Sequence, residues 1–296
     1  MQNNFKFLKE RVVYSLNNTD LEKINYELSK ISEPTLVSGV GGSSIAALYT
    51  SKILSNKNDI ITRNTEPRDF KYINTNLYKN VLACSYSGNN YGVDLALQNN
   101  LKHYLLSTKK RENITNLTYN SLEEKSFISL SATLIPCSIL LNYYLKNEKE
   151  IIDSIREYKF KFDTQCDAYE IFSGYETSTA SAYLESTMVE SGIGIPIVHD
   201  KYSYCHGRST ISTISNNIAI YFNTNTELDK KLLEELHIYY KNVIILNTNS
   251  NLFDEYKLLI KCMYLTKYIA ESKEKDLSNV NYNPIVKKIY KYKGNL

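Results

Sequence analysis

Short β-rich runs alternate with longer helical segments along this chain, and the alternation runs through twice. In the first half PTLVSGV (Pro34 to Val40), DIIT (Asp59 to Thr62), VLACSYS (Val81 to Ser87), HYLLST (His103 to Thr108) and KSFISL (Lys125 to Leu130) read as strands. Between them lie segments such as SSIAALYTSKIL and YGVDLALQNNL, whose apolar positions repeat at helical spacing. The pattern restarts at YEIFSG (Tyr169 to Gly174) and continues through GIPIVH (Gly194 to His199), NIAIYFN (Asn217 to Asn223) and NVIILNT (Asn242 to Thr248). Strands interleaved with helices predict a parallel sheet covered on both faces. The expected fold class is therefore α/β, as two doubly wound units over residues 1–150 and 151–296. A single helix, Asn4 to Ile31, precedes the first unit, and the charged stretch Lys146 to Asp163 joins the two as a helical connector.

Composition removes several classes. With 43% hydrophobic residues and a net charge of +3, the chain is not disordered, and 296 residues bury a core without disulfide or metal support. The 35 Lys and Arg are interspersed with 32 Asp and Glu, so the concentrated basic footprint of a nucleic-acid binder is missing. The basic stretch KKIYKYK, Lys287 to Lys293, reads as a solvated tail. Cys84, Cys137, Cys166, Cys205 and Cys262 show neither CxxC nor zinc spacing, which predicts a reduced, cytoplasmic protein without a metal site or cofactor. The first residues carry charges where a signal peptide needs an apolar core. The longest apolar run, Phe127 to Leu145, is interrupted by Ser129, Ser131, Thr133, Pro136, Ser138 and Asn142, so it reads as a buried strand-to-helix unit, with no membrane span.

In open parallel sheets ligands bind at the carboxyl ends of the strands. Two such ends are unusual here. The first strand runs into Gly41-Gly42-Ser43-Ser44 and a helix opens at once. Backbone N–H groups of Gly42, Ser43 and Ser44, with two hydroxyls, form a cradle suited to phosphate, or simply a tight turn. It is neither a Walker loop nor a GxGxxG turn. A second strand ends in Ser85-Tyr86-Ser87-Gly88-Asn89-Asn90 before another helix. Ser85 and Ser87 there can cap the helix, bind an anion, or do both with one geometry. Two strand ends converging on one dianionic group are more specific than either alone.

The pairing of SGVGGSSIAAL with CSYSGNNYGV, each at a strand-to-helix junction, resembles the sugar isomerase (SIS) domain family. The resemblance extends over residues 35–295, as a tandem of two flavodoxin-like SIS domains. The stretch Phe172 to Ile211 is similar to the isomerase half of glucosamine-6-phosphate synthases and to fructosamine-6-phosphate deglycases. That family implies a phosphosugar ligand, with Ser44, Ser85, Tyr86, Ser87 and Asn90 on phosphate-loop positions; Asn90 stands where threonine is usual. It implies Glu190 as the proton-transfer base and His206, 206 − 190 = 16 residues later in a HisGly pair, as the ring-opening group. The resemblance also implies that this histidine comes from a neighbouring subunit, making a homodimer or higher homo-oligomer obligatory. Arg208 replaces the proline that usually follows HisGly, and Lys287 and Lys288 stand after Pro284, offset from the family's lysine; Lys288 is the candidate.

The chemistry requires these residue types. Aldose–ketose interconversion needs ring opening and proton movement between C1 and C2 through an enediol, tasks for an imidazole and a carboxylate. A lysine would stabilise enolate charge or form an imine. His199, at the end of a strand, rivals His206, and Glu185 rivals Glu190, while His103 and His237 read as structural and exposed. Glu66 and Arg68 either touch a sugar hydroxyl or pair with each other. The expected activity is aldose–ketose isomerisation of a sugar phosphate. The alternatives are a deglycase using the same enolisation and a non-catalytic phosphosugar sensor. A dinucleotide oxidoreductase comes last, for want of its glycine fingerprint.

Overall fold

The computed structural model describes residues 2–124, 128–213, 216–279 and 285. The chain divides into two compact units, Gln2–Asp153 and Ser154–Ser278. In the first, α1 (Gln2–Lys6), α2 (Leu8–Asn18) and α3 (Leu21–Ser29) precede β1 (Thr35–Ser38), α4 (Gly42–Asn58) and β2 (Thr62–Thr65). Two 3-10 turns lead to β3 (Asn80–Cys84), α5 (Tyr91–Ala96), β4 (Lys102–Ser107), β5 (Thr115–Thr118), α6 (Ser131–Leu145) and α7 (Glu148–Ser154). The sheet has the order β2-β1-β3-β4-β5 and every pairing is parallel, with Ser38 of β1 opposite Ala83 of β3. The second unit contains β6 (Tyr169–Ser173), α8 (Ser178–Ser191), β7 (Pro196–Asp200), α9 (Lys201–Cys205), β8 (Ile218–Asn223), α10 (Glu227–Tyr239), β9 (Asn242–Asn247) and α11 (Leu252–Ser272). Its four strands run parallel in the order β7-β6-β8-β9.

The α/β class and the two parallel, doubly wound sheets expected from the alternation are present. Strands β1, β3 and β6 are buried along their whole length, as strands covered on both faces must be. The apolar run ending at Leu145 forms α6, whose residues from Leu134 to Leu141 are all buried, so its hydrophobicity serves the core. Among the described residues no helix is long and apolar enough to cross a membrane.

Three expectations change. The N-terminal segment is three helices, because Asp20 stops α2 and restarts the chain by accepting the Lys23 N–H at 3.0 Å. The fifth strand is TNLT, Thr115–Thr118, and KSFISL is not a strand where described: Lys125 to Phe127 lie outside the described residues, while Ile128 to Leu130 lead into α6. An edge strand with only Leu117 fully buried carries no apolar run to betray it. In the connector only Glu148–Ser154 is helical, and residues 155–168 have no regular structure.

A polar network lies inside the second sheet. Glu170 of β6, fully buried, bonds His199 Nε2 of β7 at 2.8 Å and accepts from Asn217 Nδ2 at 2.6 Å. Burial alone would raise this carboxyl; hydrogen bonds from His199, Asn217 and Tyr240 outweigh it and hold the group below its ordinary 4.5. A carboxyl depressed in the folded state stabilises the fold above its unfolded pKa, and that stability is lost as pH falls through the folded value. Urea unfolding across acid pH should therefore show a flatter acid limb for Glu170→Gln than for the wild type, with stability at pH 7 lowered by about 1–3 kcal/mol.

Candidate functional site

Where β1 and β3 lie side by side, the chain leaves them for opposite faces, and this is the crevice in which an open α/β sheet takes a ligand. Gly42, Ser43 and Ser44 form the first turn of α4, directly after β1. Gly42 is required by close packing: a Cβ there would stand 2.5 Å from the Ser129 Cβ and 2.9 Å from Thr133 Oγ1. Thr133, on the first turn of α6, also donates to the Gly42 carbonyl at 3.3 Å. The 17-residue α4 opens on Gly41 with no side-chain cap and no acidic residue in its first turn, and Ser44 Oγ donates to Gly41 O at 2.7 Å instead of accepting.

That start is exceptional. Among the described residues, every other α-helix that follows a strand end directly has its first N–H groups met by a side chain. Asn90 accepts from Val93 N at the start of α5, Asp200 from Ser203 N at α9, Thr226 from Asp229 N at α10, and Asn251 from Asp254 N at α11. Helix α8 lacks a local cap, but the buried Glu255 accepts from Thr179 N at 2.8 Å. Helix α6 is served likewise by Glu124, which accepts from Leu130 N, Ser131 N and Ala132 N at 3.2, 3.2 and 2.9 Å. Among the described residues, α4 alone of these strand-following helices has no side chain on its first N–H groups; the Ser43 and Ser44 N–H groups turn back to the Val40 and Gly41 carbonyls at 3.2 and 2.8 Å, which leaves the Gly42 N–H and the positive helix end without an internal anion.

The loop after β3 stands beside it, and its residues divide into two kinds. Ser85 is buried and organises the turn, its Oγ accepting from Gly88 N and Asn90 Nδ2, both at 3.1 Å. Asn90 then spends its Oδ1 on the α5 start. Tyr86 turns its hydroxyl toward Ser121 Oγ and Leu122 O, at 3.3 and 3.2 Å. Ser87 is exposed, as is Asn89, whose N–H faces Ser87 Oγ at 3.4 Å. Gly42, Ser43, Ser44 and the loop 85–90 are thus brought to one sheet edge, with the Ser43 and Ser87 hydroxyls and the Gly42 N–H at the start of α4.

The second unit holds the other candidates. Glu190 is exposed at the end of α8, accepts from Ser186 Oγ at 2.9 Å, and has its carboxyl raised above the ordinary value by partial desolvation, with Glu185 adding to the shift. His206 is exposed just after α9, which follows β7. His199 is 1% exposed and bonded to Glu170, so its place is the interior of the sheet. Glu66 and Arg68 are exposed beside β2, where partial desolvation raises the Glu66 carboxyl despite the Arg68 charge. Lys287 and Lys288 lie outside the described residues.

Glu190 and His206 are not brought together within one chain. Helix α8 leaves the carboxyl end of β6 and returns antiparallel to it for 14 residues, about 21 Å, so Glu190 reaches the amino edge of the sheet. Strand β7 then carries the chain back to the carboxyl edge before His206. At that edge a set of charges sits that sequence reading missed. Lys201 Nζ, 5% exposed, bonds Asp229 Oδ1 at 2.7 Å and stands 4.0 Å from Glu176 Oε1. Asp229 also accepts from the Tyr221 hydroxyl and the Thr224 and Thr226 N–H groups. Burial opposes its charge, but Lys201, Tyr221 and the Thr224 hydroxyl keep it ionised far below the usual range. Nothing in DKYSY marks this lysine as buried. Among the described residues no group of His, Cys, Asp and Glu side chains could hold a metal ion.

No protein-family model matches this sequence, and no curated protein matches it. Solved structures do. Glucosamine-6-phosphate deaminase from Thermotoga maritima superposes with a TM-score of 0.70 at 16% identity, over 93% of this chain and 97% of that one. Tagatose-6-phosphate ketose/aldose isomerase from Escherichia coli gives 0.70 at 12% identity, over 95% and 96%. The C-terminal domain of glucosamine-fructose-6-phosphate aminotransferase from Francisella tularensis gives 0.68 at 11%, over 93% and 95%. The likeness is one of fold. It extends over nearly the whole of each chain, both units included.

Gly42→Ala should push Ser129 and Thr133 away from the α4 start. We expect about 1–3 kcal/mol of lost stability by urea unfolding, together with weakened binding of inorganic phosphate by calorimetry.

Proposed function

We propose that this chain is a phosphosugar-binding aldose–ketose isomerase. The uncapped start of α4 beside the hydroxyl-bearing loop 85–90 is the single observation that carries the reading. A sugar phosphate is a dianion that would sit against the Gly42 N–H and the uncapped positive end of α4, as carboxylates do at α6 and α8. The names of the structural neighbours, a deaminase and an isomerase of phosphorylated sugars and an aminotransferase, agree with that ligand class.

In this reading Glu190 takes a proton from C1 or C2 of the open-chain sugar and returns it to the other carbon through an enediol. Its raised carboxyl suits the task, because a base whose conjugate acid is nearer neutrality exchanges protons in both directions. His206 serves the ring oxygen during opening. Since the two lie at opposite sheet edges of one chain, the reaction uses Glu190 of one copy and His206 of another. Lys288 is retained as the candidate for stabilising enolate charge. A deglycase would share every step up to the enolised intermediate and differ in releasing an amine. A non-catalytic phosphosugar sensor would use the cradle alone.

Proton NMR in deuterium oxide, with a panel of hexose, pentose, hexosamine and fructosamine phosphates, separates these readings. An isomerase washes deuterium into C1 or C2 of its substrate and yields the ketose or aldose partner, whereas binding without exchange would replace it with the sensor. Glu190→Gln should lower turnover about 10²–10⁴-fold while leaving phosphosugar affinity nearly unchanged. Glu190→Gln and His206→Asn chains, each inactive alone, should recover about a quarter of wild-type activity when unfolded together and reassembled, because half of the mixed dimers' sites are intact. No recovery would overturn the shared site.

A further inference from the structure

Arg111 stands in the loop after β4, where sequence reading assigned it no role. Its Nε donates to the Gly88 carbonyl at 2.6 Å and its Nη1 bonds Asp94 Oδ1, on the first turn of α5, at 2.8 Å. The guanidinium therefore bridges the tip of the loop 85–90 and the helix that the loop enters. Arg111 is itself gripped: its N–H donates to Asn116 Oδ1 at 2.8 Å, and Asn116 Nδ2, from β5, donates back to its carbonyl at 2.7 Å. Gly88 has φ of +67°, and a Cβ there would meet Ser107 Oγ at 3.0 Å, so this tip is seated tightly on the loop after β4.

We propose that Arg111 is the positioning residue of the anion loop, an inference that rests on the phosphate reading above. A trans peptide is planar, so its C=O and N–H point in opposite directions. Fixing the Gly88 carbonyl on Arg111 fixes the Asn89 N–H on the other side, toward Ser87 Oγ and the exposed face of the loop. The same guanidinium neutralises Asp94, whose carboxylate would otherwise repel a dianion arriving at the α4 start. Two features of arginine are used at once: the fork that spans a carbonyl and a carboxylate, and a permanent charge. β5 acquires a role as well, since Asn116 holds the backbone from which the fork projects.

The test uses the full-length protein with Arg111→Met and Arg111→Lys. The first readout is amide hydrogen exchange of residues 86–91, which needs no ligand. Arg111→Met should speed exchange there about tenfold or more while amides of β3 and β4 keep their protection, as expected for local opening. The second is inorganic phosphate titrated by calorimetry, where Arg111→Met should weaken binding about tenfold and Arg111→Lys should recover only part of it, a lysine being unable to span both acceptors. Wild-type exchange in Arg111→Met overturns the proposal, and so does full recovery of phosphate affinity in Arg111→Lys, which would reduce the residue to its charge. Should the wild-type protein bind no phosphate, the phosphate reading fails, and the exchange experiment alone still decides whether Arg111 sets the loop.

Discussion

Every right-handed crossover in a parallel sheet aims a helix N-terminus at the carboxyl edge, and each such end carries N–H groups that the helix cannot satisfy. The structure is organised by how those donors are met. Short polar side chains do so at α5, α9, α10 and α11, and carboxylates from outside the local capping positions do so at α6 and α8, Glu124 from a few residues upstream and Glu255 from α11. Each solution consumes the half-charge of its helix end internally. At α4 no side chain does so: the Ser43 and Ser44 N–H groups turn back to the Val40 and Gly41 carbonyls, although serine is among the residue types that cap helices best. Both serines sit inside the first turn, past the capping position, and the Ser44 hydroxyl itself donates to the Gly41 carbonyl.

The two units resolve this constraint differently. In the second sheet the corresponding crevice lies between β6 and β8, and the protein fills it with its own charges. Lys201 arrives from β7 to meet Asp229, which already collects the Thr224 and Thr226 N–H groups at the entry to α10. Asp229 supplies the negative charge at that helix start, and Lys201 pairs with it. Two sheets of one class thus differ at these positions in a handful of side chains.

Much of this was legible in the sequence, for physical reasons. Strands buried on both faces must be continuous apolar runs, so β1, β3, β6 and β8 announce themselves, and the Gly-Ser turn after β1 marks a place where backbone comes close to something. Strand β5 was not legible, because an edge strand needs only one buried residue, Leu117, and reads otherwise as polar loop. Glu124 was not legible either: it acts at α6 from six residues upstream of Leu130, outside any local capping pattern. Arg111 and Lys201 share that difficulty. What they do depends on which loops the topology brings to a common edge, and periodicity in one dimension does not record it. His199 shows the converse limit, since a histidine at a strand's end looks reactive until its neighbour Glu170 is known.

The interior of the second unit nonetheless bears on the segment that carries His206. Helix α9 is held at its first residue by the Lys201–Asp229 bond. The buried Tyr204 bonds Ser212 Oγ at 2.5 Å, and Ser212 bonds the Tyr240 hydroxyl at 2.6 Å. Glu170, buried in β6, bonds His199 of β7 at 2.8 Å. His206 therefore projects from a short stretch tied on either side to buried polar groups, while its own imidazole stays in solvent. Glu190 lies at the far edge of the same sheet, the length of α8 away from the edge that carries His206.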